Sequence, residues 1–165
     1  MDPATGLVAF SFGLGHVEPN PCNVRIAKEA ERIVAQENRK VIVVAQWEVD
    51  LQLQHDSQPP ALSVEKLADG SYLGSEEVWE AAKLLFKEQG ITEIIPVAQT
   101  FLHLWKIKQM ITRDGFTVIA RPIGKIGFDK ESTQWWCRGP IQLAVYSAMQ
   151  LVSGYRGHHG KQSAA

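Results

Sequence analysis

Four short runs rich in β-branched and other apolar residues alternate with four stretches of helical periodicity, and this alternation limits the fold more than any other feature of the sequence. Leu7-Val-Ala-Phe-Ser-Phe12 is the first run. It ends in Gly13-Leu14-Gly15, and Asn20-Pro21 then supplies an N-cap and N1 pair that opens a helix. From Val24 to Gln36, Ile26, Ala27, Ala30, Ile33 and Val34 recur at three- and four-residue spacing, while Arg25, Lys28, Glu29, Glu31 and Arg32 fall largely on the other face. Lys40-Val-Ile-Val-Val-Ala45 is continuously apolar after its lysine, as in a strand covered on both faces of a parallel sheet.

The unit repeats after Gly74. Ser75 is placed to cap a helix over Glu76 to Gln89, with Val78, Trp79, Ala82, Leu85 and Phe86 inward and Gly90 just past its end. Glu93 to Ala98 reads as a strand in which Pro96, unable to donate to a ladder, favours an edge or a strand end. Thr100 is placed to cap a helix over Phe101 to Thr112, and Phe116 to Ala120 is the fourth strand. A last helix covers Ile141 to Val152, with Ile141, Ala144, Val145, Ala148 and Val152 expected inward. The order βαβαβαβα predicts a Rossmann-like three-layer α/β/α sandwich on a mostly parallel sheet of four to five strands.

The length of 165 residues is consumed by one such domain over residues 1–156, followed by a polar tail over 157–165. Residues 50–74, containing Gln52, Gln54, Gln58 and Pro59-Pro60, interrupt the pattern as an insertion, read as a lid, a partner-binding element or a tolerated surface loop. Seventeen Lys and Arg against eighteen Asp and Glu give a net charge of −1, which argues against nucleic acid as a partner. No run approaches 18 apolar residues, and Met1 to Gly6 lack a basic, apolar leader; no stable membrane insertion and a cytoplasmic location are expected. Cys22 and Cys137 have no CxxC spacing, and no metal-ligand spacing occurs.

Ligands of parallel α/β sheets bind beyond the carboxyl ends of the strands, so the candidate residues are those that follow each run. Gly13-x-Gly15 resembles the start of a dinucleotide fingerprint, yet Glu18 occupies the place of its third glycine. A looser anion or polar-ligand turn built from Gly13, Gly15, His16 and Asn20 stands beside a purely structural turn. Val44-Ala45-Gln46 and Val97-Ala98-Gln99 are identical triplets at equivalent points of successive units, which makes Gln46 and Gln99 candidate ligand contacts as well as candidate strand-end solvators. Glu48 and Glu76 are the carboxylates nearest this rim. His103 and Lys106, three apart on one helix, share a face and pair a general acid/base with an anion-holding ammonium. Trp79 and Trp105 belong to helix packing faces by periodicity, while Trp47 and Ser132-Thr-Gln-Trp-Trp-Cys-Arg138 suit a lid or a subunit contact.

Along Leu7 to Arg156 the chain resembles the YdcF/SanA/ElyC-like domains, a Rossmann-like family. The similar positions are Gly13-x-Gly15, Arg25 within Asn23-Val-Arg-Ile-Ala-Lys, the acid-bearing Ser75-Glu-Glu-Val-Trp-Glu-Ala81, His103-x-x-Lys106 where the family has His-x-x-Arg, and Phe116-Thr-Val-Ile. Ala45-Gln46-Trp47 replaces the family's Ser-Gly-Gly, Gln99-Thr100 replaces its Thr-Ser with a one-residue shift, and its Ser-x-x-Thr-x-x-Asn segment is not evident. The resemblance implies a nucleotide-type ligand, S-adenosylmethionine among them, and adds Arg25 and Thr100 to the ligand-binding set. The expectation is a small-molecule-binding domain for a nucleotide-like or anionic ligand, with His103 and Lys106 as its catalytic pair if it catalyses. The alternative is an oligomeric or scaffold protein, a homo-oligomer, that keeps the fold without a working site.

Overall fold

The computed structural model describes residues 4–14, 19–53, 60–65 and 73–153. Strands β1 (Thr5–Ala9), β2 (Val41–Gln46), β3 (Leu62–Val64), β4 (Glu93–Val97) and β5 (Thr117–Val118) form one sheet in the order β3-β2-β1-β4-β5. Every neighbouring pair is parallel. The helices are α1 (Pro21–Gln36), the single turn α2 (Trp47–Asp50), α3 (Ser75–Glu88), α4 (Leu102–Arg113) and α5 (Pro140–Ser153). The sheet grows from β1 towards β3 on one side and from β4 towards β5 on the other, so its switch point lies between β1 and β4.

Side-chain alternation along the strands divides the interior into two cores. Leu7, Ala9, Val41, Val43, Ala45, Ile95 and Val97 face α1 and meet Ile26, Ala27, Ala30 and Ile33; Ile126, Cys137 and Leu143 extend this core from the segment after β5. Val8, Val44 and Ile94 face the opposite way and meet Val78, Trp79, Ala82 and Phe86 of α3 and Ile107, Met110 and Ile111 of α4. The result is the three-layer sandwich that the alternation of runs predicts. No helix of the described residues is long and apolar enough to cross a membrane.

Pro96 sits in an interior strand, and the ladder accommodates it. The carbonyl of Ile94 accepts from Ile119 N on the β5 side and that of Val97 accepts from Phe10 N on the β1 side, so Pro96 turns its missing donor towards β5. That strand ends at Val118, opposite Ile94. The same shortness explains why β5 covers two of the five residues expected between Phe116 and Ala120.

Five expectations are corrected. The segment read as an insertion supplies β3, paired with β2 through Val44–Leu62 to Gln46–Val64; three residues are too short a pattern to be seen in sequence. Ser75 is the first helical residue of α3, with Gly74 at the cap, and Phe101 rather than Thr100 stands at the cap of α4. Trp105 is exposed. In α5 the stripe expected inward faces solvent: Leu143 is buried, whereas Ile141, Ala144, Val145, Ala148 and Val152 are exposed. Periodicity shows that a helix has an apolar face; the neighbours decide whether that face is covered.

Gly6 lies where Phe86 of α3 comes closest to β1. A Cβ at Gly6 would be 2.7 Å from Ile94 Cδ1 and 2.9 Å from Phe86 Cε1, distances that demand movement of a packed ring. Gly6→Val is expected to cost about 1–3 kcal/mol by overpacking, read as a lower urea midpoint at unchanged slope.

Candidate functional site

The carboxyl ends of β1, β2 and β4 carry a set of amide side chains that complete the backbone where it leaves the sheet. Ser11 N donates to Gln46 Oε1 at 3.0 Å, and Gln46 Nε2 donates to the carbonyl of Leu73 at 3.2 Å. Phe12 N donates to Asn23 Oδ1 at 2.8 Å, and Asn23 Nδ2 returns a bond to the carbonyl of Gly13. Gln99 accepts from Phe101 N at 2.9 Å and donates to the carbonyl of Ile126. Gln46 and Gln99, the ends of the repeated triplets, therefore do the same work: each is buried, and each accepts from a main-chain N–H and donates to a main-chain carbonyl. Glu48 is fully buried in α2.

On the α1 side the rim is filled by the protein's own groups. Asn20 Oδ1 accepts from Cys22 N and Asn23 N, which occupies two of the free donors of the helix, and Asn20 Nδ2 donates to Asp129 Oδ2 at 2.8 Å. A carboxylate of the chain thus stands beside the helix N-terminus, where a bound anion would be favoured. Gly13 turns at φ 87°, and a Cβ there would lie 2.9 Å from Ser132 Oγ and 3.2 Å from Cys137 Cβ. Ser132 Oγ and both Thr133 N and Thr133 Oγ1 donate to the carbonyl of Leu14, so the segment around Ser132 is fastened over this turn. Arg25 Nη1 donates to the carbonyl of Lys125, in the segment after β5, at 3.4 Å. Gly15 and His16 lie outside the described residues. Burial and the nearby Asp129 push the Cys22 thiol up to about 11, and burial pushes Cys137 up as well, so neither is a ready thiolate.

The α3 and α4 side is built differently. His103, one residue into α4, brings its ring against Phe10 and Phe12 at centroid distances of 6.3 and 5.5 Å, which seats it at the switch point between β1 and β4. Its Nε2 is 2.9 Å from Ser75 Oγ, at the first residue of α3. One turn further on, Lys106 Nζ is 3.1 Å from Glu76 Oε1, and both side chains remain substantially exposed. These two contacts tie the first turn of α3 to α4. Of the residues singled out in the sequence, His103, Lys106 and Glu76 come together here. Thr100 is half-buried in the turn that precedes α4. Ser75, read in the sequence only as a cap, is the additional member; its distance of 28 positions from His103 left no local signal.

His103 Nδ1 is buried and has no hydrogen-bond partner among the described residues. Burial, assisted by the positive charge of Lys106, pushes the imidazole down to about 3, so at neutral pH the ring is neutral and carries one N–H. Whichever nitrogen carries the proton, Nδ1 offers one further donor or acceptor. A neutral imidazole in this setting is a hydrogen-bond partner and a poor proton acceptor, and no carboxylate among the described residues bonds it as an orienting third group.

The depressed value has a sign for stability. The unfolded imidazole takes up a proton as pH falls through about 6.5, whereas the folded one does so only near 3, so the unfolded state binds more protons in between and the fold weakens as pH drops across that window. His103→Phe is expected to flatten the loss of stability on the high-pH half of the window, and the native imidazole is expected to show no NMR titration from about pH 8 to 5. Protonation of the native ring inside that range would contradict the assignment. No protein-family model, curated protein or solved structure matches the chain.

Proposed function

We propose that the protein binds a small nucleotide-like or anionic molecule at the carboxyl ends of β1 and β4, over the first turns of α3 and α4. The observation that carries this reading is His103 Nδ1, a buried polar atom without a partner among the described residues, sited at the switch point of a parallel sheet. An unsatisfied buried polar group costs about 1–3 kcal/mol, and a ligand polar atom at this position offsets that cost. Lys106 supplies the positive charge: its side chain is partly exposed and pairs at the surface with the exposed Glu76 carboxylate, so exchanging that carboxylate for a ligand anion costs little. His103 serves as a neutral hydrogen-bonding group in this reading, and Lys106 as the anion clamp. The resemblance to the YdcF/SanA/ElyC-like domains points to the same class of ligand, S-adenosylmethionine included, and to the step where the family has His-x-x-Arg and this chain has His103-x-x-Lys106.

A second reading, a domain that keeps the fold without a ligand site, is favoured by the rim itself, where Asn20, Gln46 and Gln99 are spent on the chain's own groups. One experiment separates the two. Thermal unfolding is followed with ATP, AMP, S-adenosylmethionine and inorganic phosphate, each at millimolar concentration. A ligand at 100 times its Kd stabilises by about 2.7 kcal/mol, which raises Tm by roughly 5–10 °C in a chain of this size. The ligand reading expects such a shift with at least one probe, reduced in Lys106→Met and abolished in His103→Phe. A flat response across the four probes favours the second reading.

A further inference from the structure

We propose that Ser75 is a positioning residue of the His103 site: its hydroxyl donates to Nε2, which puts the imidazole proton on Nδ1, so that the group received there is an oxygen of a carboxylate or phosphate. The occupant rests on the ligand reading above; the place of the proton stands on the chain alone. Ser75 Oγ and His103 Nε2 are 2.9 Å apart, and either can supply the hydrogen between them. The neutral ring has one N–H to place. The rings of Phe10 and Phe12, at centroid distances of 6.3 and 5.5 Å, pack against the imidazole without giving it a polar partner. Ser75 is therefore the group that decides which nitrogen is protonated.

The two arrangements differ in what they leave over. With the proton on Nε2 and donated to Oγ, two groups go without a partner: the Ser75 O–H, which makes no other hydrogen bond among the described residues, and the bare, buried Nδ1. With Ser75 donating, its hydrogen and the Nε2 lone pair satisfy each other, and Nδ1–H alone is left. An unmade bond at a buried group costs more than a made one returns, so the second arrangement is preferred. The surroundings of Oγ agree. Ser75 opens α3, Gly74 at the cap brings no side-chain acceptor, and the main-chain groups freed at a helix start are N–H donors, which suit the lone pairs of a hydroxyl and not its hydrogen. The nearby carboxylates are turned elsewhere: Glu76 Oε1 holds Lys106 Nζ at 3.1 Å, and the Glu77 carboxylate lies beside Gly74. His103 and Lys106, three apart on α4, then offer a ligand two donors, one of them positively charged. An acceptor oxygen with negative charge answers both, and an amine answers neither.

Long-range ¹H–¹⁵N correlation spectra of the labelled full chain at neutral pH read the tautomer directly, with Ser75→Ala and Ser75→Thr beside the wild type. Far-UV circular dichroism checks that each variant keeps its fold. The proton is expected on Nδ1 in the wild type and in Ser75→Thr, which keeps the hydroxyl, and that preference is expected to be lost in Ser75→Ala. A wild-type ring protonated on Nε2 overturns the proposal, as does an Nδ1 proton that Ser75→Ala leaves fully in place. Inorganic phosphate, acetate and methylammonium are then titrated at millimolar concentration. A saturable shift of the Nδ1 signal is expected with phosphate or acetate, about tenfold weaker in Ser75→Ala and recovered in Ser75→Thr; the tighter of the two anions separates a phosphate site from a carboxylate site. A shift with methylammonium in place of the anions overturns the acceptor oxygen. No response to any probe, with the proton on Nδ1, overturns the ligand reading and leaves the role of Ser75 in the tautomer standing, so the two fail separately.

Discussion

The backbone of β1 governs the arrangement of the rim. All of Thr5–Ala9 is buried, with β2 on one side, β4 on the other and a core on each face, so every main-chain donor leaving this strand must find an acceptor without help from water. Phe10 N still reaches the ladder at Val97 O. Beyond it the ladder ends, and Ser11 N and Phe12 N turn to the side chains of Gln46 and Asn23. Three neighbouring donors thus take their partners from β4, β2 and α1 in succession, and this fixes those three elements relative to the point where the chain leaves the sheet. Amide side chains suit the task because each accepts and donates in one rigid group.

That constraint explains which parts of the molecule were legible in sequence. The α/β alternation, the ends of α1 and the inward stripe of α3 follow from local periodicity and capping chemistry, and Val78, Trp79, Ala82 and Phe86 are buried where the spacing puts them. The identity of Gln46 and Gln99 as a matched pair was also legible, since the repeat of Val-Ala-Gln reflects two strands ending at the same level. Their work was not: a glutamine that closes a backbone and one that holds a ligand have the same local pattern. Ser75 belongs with His103 only because α3 and α4 lie on the same face of the sheet, a property of topology that no spacing carries. For α5 the period was right and the direction opposite, because the attachment of that helix is decided by Trp136 and Tyr146.

The two halves of the rim also differ in what they could give a ligand. Beside α1, the donors of the helix terminus are taken by Asn20 and the negative charge is supplied by Asp129, so a ligand anion would have to displace groups already well satisfied. Beside α3 and α4, the interacting groups are an exposed ion pair, which exchanges readily with solvent-borne partners, and a part-buried hydroxyl–imidazole contact. Charge and hydrogen-bond accounting therefore favour the His103 side for binding, although the glycine-bearing turn is the more suggestive motif on paper. A glycine with φ 87° is needed at position 13 for the passage of Ser132 and Cys137 alone.

The segment that closes the α1 side runs on into α5. Asp129 bonds Asn20, and Ser132 and Thr133 hold the carbonyl of Leu14. Three residues later Trp135 and Trp136 lie against Tyr146 of α5. The packing of these rings on α5 joins the hydrogen bonds in holding the 129–137 segment over the Gly13 turn. His103 lies across the end of β1 from that segment, with the Phe12 ring centred 5.5 Å from the His103 ring and 5.9 Å from that of Phe128. Phe12 is thus the side chain that packs between the imidazole and the segment after β5, and it ties the two halves of the rim together by ring contacts.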